Sequence, residues 1–153
     1  MYKYLLIFLV TLPAWASNAP SRTNCSFYLD LEAKTACGYE GYPLQFGYRM
    51  CEKYRLAEKN QTEGIKEWFP KIRYCLQDYL AKNSGRAKTC RQLADMAYAS
   101  HINCYLNTGY CALPANDVTR ILNITGPDIL NPHVLAIGTE ISAKCMERGF
   151  ALR

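Results

Sequence analysis

Histidine is scarce in this chain, two residues among 153, and acid–base catalysis and metal binding lose their commonest ligand with it. No HExxH, no GxSxG and no glycine-rich phosphate loop occurs. An acid–base site would have to rest on carboxylates, and Asp30 and Glu32 read as ordinary loop residues. Beyond residue 16 no stretch is apolar enough to enter a bilayer. Strand-like alternation persists nowhere, and there is no internal repeat, low-complexity run or linker. Basic residues are scattered except for Arg86, Lys88 and Arg91, without the aromatic-interleaved stripe of a nucleic-acid binder. That trio reads as a solvated face, and as a candidate contact for an acidic partner or a sulfated glycan. The absences argue against an enzyme, a cofactor and a nucleic-acid partner.

Cysteine, by contrast, is plentiful. Eight residues, Cys25, Cys37, Cys51, Cys75, Cys90, Cys104, Cys111 and Cys145, follow an N-terminal stretch built like a secretory signal peptide. MYKYLLIFLVTLPAWA has an early Lys3, an apolar run from Leu5 to Val10 and a small-x-small ending at Ala14-Trp15-Ala16, which places cleavage after Ala16. Residues 17–153 then form a single domain of 137 residues (153 − 16), secreted and extracellular. Without Lys3 it carries 17 basic (18 − 1) against 13 acidic side chains, a mild positive charge. An even cysteine count in such a chain signals a disulfide framework, with 105 connectivities open to eight cysteines. Three glycosylation sequons agree with export: Asn24-Cys25-Ser26, Asn60-Gln61-Thr62 and Asn123-Ile124-Thr125. Asn60, in a polar stretch, is the best acceptor; the cysteine inside the first sequon works against Asn24.

Periodicity predicts helix almost everywhere after Cys37. Ile65, Trp68, Phe69, Ile72, Cys75, Leu76, Tyr79 and Leu80 recur at i, i+3, i+4 and i+7. Pro70 interrupts that face, so the main helix is expected to begin there after a short helical lead-in. Asn83-Ser84-Gly85 stops it. Cys90, Leu93, Ala94, Ala97, His101 and Cys104 make one stripe of the next helix, ended by Asn107-Thr108-Gly109. A shorter piece spans Pro114 to Asn123, and Val134, Ile137, Ile141 and Cys145 mark a last helix introduced by Asn131-Pro132. Leu44 to Lys59 is also expected to be helical, although Gly47 weakens it. The fold class is all-α: a compact, disulfide-braced helical domain of about four to five helices. Tyr39, Tyr42, Phe46 and Tyr48 form an aromatic group that suits either a binding surface or packing of the N-terminal loop onto the first helix.

Cys90 and Cys104 lie 14 residues apart on one helix face. Fourteen residues of helix rise about 21 Å, and a disulfide needs Cα atoms within about 7 Å, so each must reach a different neighbour. His101 and Cys104 have ligand-like spacing, but a secreted cysteine with seven companions is normally oxidised. His101 is expected at the edge of the core face, and His133, beside Pro132 at a helix start, without a special role.

From Cys51 onward the cysteine separations are 24, 15, 14, 7 and 34. This array, and above all CYLNTGYCALPANDVTRIL at residues 104–122, resembles the stanniocalcins, secreted glycoprotein hormones. The likeness runs from Cys25 to about Cys145. It implies an all-helical, disulfide-braced fold with pairs Cys25–Cys37, Cys75–Cys104 and Cys111–Cys145. The family typically carries two more N-terminal cysteines, the separate partners of Cys51 and Cys90; their absence leaves Cys51–Cys90 as the implied fourth pair. A simple antiparallel hairpin would instead set Cys75 opposite Cys90. The C-terminal cysteine that links family dimers has no counterpart here, so a monomer or non-covalent dimer is expected.

Two functions follow as expectations. The resemblance implies a hormone-like glycoprotein that binds an extracellular protein partner, a receptor or protease. Stanniocalcins are associated with calcium and phosphate homeostasis, and vertebrate members inhibit pappalysin metalloproteases. The alternative is a secreted effector or toxin-like module on the same scaffold, since fold does not fix function.

Overall fold

Caps decide where the helices begin. The computed structural model describes residues 18–147 and Gly149; the expected signal peptide lies outside them. Among the described residues there are six α-helices and no strand: α1 Phe27–Thr35, α2 Arg49–Ala57, α3 Glu63–Asn83, α4 Cys90–Thr108, α5 Ala115–Thr125 and α6 Pro132–Glu147. None is long and apolar enough to cross a membrane. Thr62 and Thr89 accept hydrogen bonds from the backbone N–H groups of Ile65 and Gln92, at 3.4 and 3.2 Å, and so cap α3 and α4. Gly109 closes α4 with φ 96°, a conformation that glycine adopts without strain. The Asn131 side chain accepts from the backbone N–H of His133 at 2.9 Å and opens α6.

The main helix does not wait for Pro70. α3 starts seven residues earlier and runs through the proline. Pro70 deletes one backbone bond, to the carbonyl of Lys66, and costs about 3 kcal/mol. Starting at Glu63 lets Ile65, Trp68 and Phe69 all reach the core, each contributing about 1.5–3 kcal/mol by burial. The burial wins.

The 43–60 stretch is helical throughout, as a π-helical turn over Pro43–Tyr48, α2, and a 3₁₀ turn over Glu58–Asn60. Gly47, which reads from sequence as a weakness, is a contact site. A Cβ built there would stand 2.6 Å from Tyr28 Cδ1, so only glycine lets the buried Tyr28 ring lie against this turn.

Asp30 and Glu32, read as loop residues, lie on α1, the helix the sequence reading missed. That element also overturns two implied disulfides. Cys25 precedes α1 and Cys37 follows it, 12 residues on, which in helix is about 18 Å of rise. They cannot bond each other, for the same reason as Cys90 and Cys104. Cys25 instead pairs with Cys51 (Cα–Cα 5.9 Å) and Cys37 with Cys90 (5.5 Å), in place of Cys25–Cys37 and Cys51–Cys90. The remaining bridges are Cys75–Cys104 and Cys111–Cys145, with Cα–Cα distances of 5.7 and 5.3 Å. The hairpin that would have joined Cys75 to Cys90 does not form. The α3–α4 connection includes extended backbone at Ala87 (ψ 128°) and Thr89 (ψ 158°), which carries Cys90 away to Cys37.

Two apolar clusters result, each stapled twice. One gathers Tyr28, Leu31, Phe46, Met50, Leu80 and Leu93 around Cys25–Cys51 and Cys37–Cys90. The other gathers Ile65, Trp68, Phe69, Val118, Ile121 and Ile141 around Cys75–Cys104 and Cys111–Cys145.

Candidate functional site

Between the clusters lies a pocket of about 340 Å³, walled by residues of all six α-helices and of the π-helical turn. Its surface is mainly apolar: Met50, Phe69, Leu76, Val118, Ile121 and Ile137 contribute, with Tyr54, His101, Tyr105 and Tyr110 among them. Tyr54, His101 and Tyr105 are part-buried in this wall.

The polar groups of the wall form an ordered set. Thr125 donates to the carbonyl of Ile121 at 2.9 Å, so the Tyr54 hydroxyl, 2.5 Å away, donates to Thr125 Oγ1. Tyr105 lies against Tyr54, and burial beside other phenols holds its hydroxyl protonated far above neutral pH. Burial pushes Tyr110 up to about 12. His101 Nδ1 sits 2.9 Å from the carbonyl of Ala97, an acceptor, so Nδ1 carries the proton and Nε2 keeps its lone pair. Burial also lowers the His101 pKa below its usual 6.5, favouring the neutral ring. Arg73 is the one charged residue of the lining. Its guanidinium donates to Glu58 at 2.7 Å and to the carbonyl of Arg22, so its charge is already met.

The residues singled out from sequence scatter around this cavity. His101 lines it, as do Tyr42 and Phe46; Tyr39 stays 80% exposed, so the aromatic group divides between core and surface. Cys104 is oxidised, which removes it as a metal ligand, and no cluster able to hold a metal occurs among the described residues. His133 has a structural part to play: its ring stacks on Tyr98, centroids 4.5 Å apart, joining the start of α6 to α4. Arg86, Lys88 and Arg91 are exposed, and the Cys37–Cys90 bond brings the Tyr39 loop to their end of the molecule. Asn24, Asn60 and Asn123 are all exposed. Asn24 Oδ1 accepts from the backbone and hydroxyl of Ser26 at 3.2 and 2.7 Å, folding its sequon into a turn.

Arg73 and Gln77 escaped the sequence reading. Both are buried on the core face of α3, and Gln77 accepts from the Ser21 N–H and donates to the Asn24 carbonyl, each at 3.0 Å. They pin the segment before α1 to α3. The available signal was their spacing, four and eight residues beyond Phe69 on the apolar stripe.

The described residues form an all-α, disulfide-braced domain with a partly open apolar pocket between its helices. No family model, no curated protein and no solved structure matches the chain.

Proposed function

We propose that this chain acts outside the cell as a non-enzymatic, stanniocalcin-type glycoprotein ligand for a protein partner. One observation carries the reading. Cys75–Cys104 and Cys111–Cys145 are two of the pairs the resemblance implies. Cys51 and Cys90 take Cys25 and Cys37 as partners where the resemblance implied Cys25–Cys37 and Cys51–Cys90, so the support rests on the first two bridges. Four disulfides in a chain with no membrane-crossing helix among its described residues suit an oxidising, extracellular setting. The exposed face bearing Tyr39, Lys88 and Arg91 is the candidate contact with that partner.

The test has two arms: inhibition of a pappalysin-type metalloprotease by the purified protein, and calcium and phosphate uptake by cells exposed to it. Slowed cleavage or altered uptake, weakened by Tyr39→Ala with Arg91→Glu, is the expected result. No effect in either arm at saturating protein removes the reading.

A further inference from the structure

We infer that the apolar pocket between the two clusters is a binding site for a neutral, apolar molecule of about a dozen carbon atoms that carries one hydroxyl group. The inference goes beyond the proposed function and does not depend on it.

Size sets the first limit. A cavity of 150 Å³ holds benzene, and this one, at about 340 Å³, is a little over twice as large. It also falls within the roughly 300–1,000 Å³ of small-molecule sites. Its wall is too apolar to hold a full complement of hydrogen-bonded water, because such water needs two to four polar partners each. An apolar occupant releases water that this wall hydrogen-bonds poorly.

Charge sets the second limit. The one charged group in the lining, Arg73, is committed to Glu58 and to the Arg22 carbonyl. Nothing remains to neutralise a carboxylate or phosphate, and no carboxylate lines the cavity to receive a cation. A charged ligand would be desolvated without compensation.

The third limit is the hydrogen-bonding pattern. With Nδ1 used on Ala97, His101 presents Nε2 as an acceptor. The ring is set among Phe46, Tyr98 and Tyr105, with centroids 6.1–6.3 Å away. The Tyr105 hydroxyl is spent on Tyr54, and the Tyr110 hydroxyl, which lines the same wall, supplies the donor. One acceptor and one donor match a hydroxyl, which gives its proton to Nε2 and accepts from a phenol. A ketone or ester would leave Nε2 unmet, and a hydrocarbon would leave both.

1-Naphthol and naphthalene, nearly equal in shape, separate these features by titration calorimetry on the intact, oxidised protein. 1-Naphthol should bind one to one with a Kd of tens of micromolar, about the affinity expected of a ligand with roughly 11 heavy atoms. Naphthalene should bind about five- to tenfold more weakly, the effect of one hydrogen bond. His101→Phe should bring 1-naphthol down to the naphthalene value and leave naphthalene within about twofold. Ile137→Phe, which adds volume from the α6 wall without touching the polar pair, should abolish both while circular dichroism shows an intact fold. Absence of saturable binding by the unaltered protein overturns the inference. So does undiminished binding to folded Ile137→Phe. Equal affinities for the two probes, unmoved by His101→Phe, overturn the assignment of a hydroxyl.

Discussion

Replacing Cys37 and Cys90 together by serine isolates the contribution of one bridge to stability. The bond spans a sequence separation of 53, and the chain-entropy relation assigns it about 4 kcal/mol at 25 °C. Packing adds little, because Cys90 is exposed and Cys37 only half-buried. With about 2.1 cal/mol/K of unfolding entropy per residue over roughly 130 residues, the midpoint should fall by about 15 °C. Cys111–Cys145 is the counterpart. Its separation of 34 gives slightly less entropy, about 3.8 kcal/mol. Both its residues are buried, however, so Cys111→Ala with Cys145→Ala also leaves a hole worth about 1–2 kcal/mol more. The shorter loop should therefore be the costlier one to open. Urea unfolding of the unreduced proteins, followed by circular dichroism with m-values compared, measures both losses. A loss under about 1 kcal/mol for the Cys37/Cys90 variant, or losses ranked by loop length, would refute the reasoning.

Three further outcomes are expected. Denatured, unreduced protein should titrate no thiol, since no cysteine is free, and peptide mapping should recover Cys25 linked to Cys51; recovery of Cys25 linked to Cys37 would break the fold as described. Gly47→Ala should lower stability by about 1–3 kcal/mol through overpacking against Tyr28, although alanine is the better helix former by about 1 kcal/mol; an unchanged urea midpoint contradicts the contact. His101 has its folded pKa held below 6.5 by burial, so the unfolded chain binds the proton more readily. Stability should then be complete above about 6.5, fall as pH drops below it, and lose this slope in His101→Phe; a slope unaltered by that change shows that another group titrates.

Much of the fold is legible along the chain because helices are local objects. The periodic stripe from Ile65 to Leu80 and the stops at Asn83-Ser84-Gly85 and Asn107-Thr108-Gly109 each involve neighbours within a few residues. So does the exclusion of Cys90–Cys104, which needs only the helical rise. Where the reading failed, the missing information lay at long range. α1 has only a weak amphipathic pattern, and its buried residues Phe27, Tyr28 and Leu31 find their partners far along the chain, as Tyr28 does at Gly47. Without that helix, nothing forbids Cys25–Cys37.

Local pattern alone specifies an all-helical chain with cysteines enough to staple it, and the stripes that turn inward. Tertiary structure decided the partners. Which cysteine meets which depends on where whole helices end up, and the extended residues before α4 moved Cys90 from Cys75 to Cys37. The cavity belongs wholly to this second level. Its wall is assembled from six helices, and the volume left between them is a property of their arrangement that no single periodic stripe encodes. The same holds for His101, whose character as a neutral acceptor follows from the Ala97 carbonyl below it and the aromatic rings that keep water away.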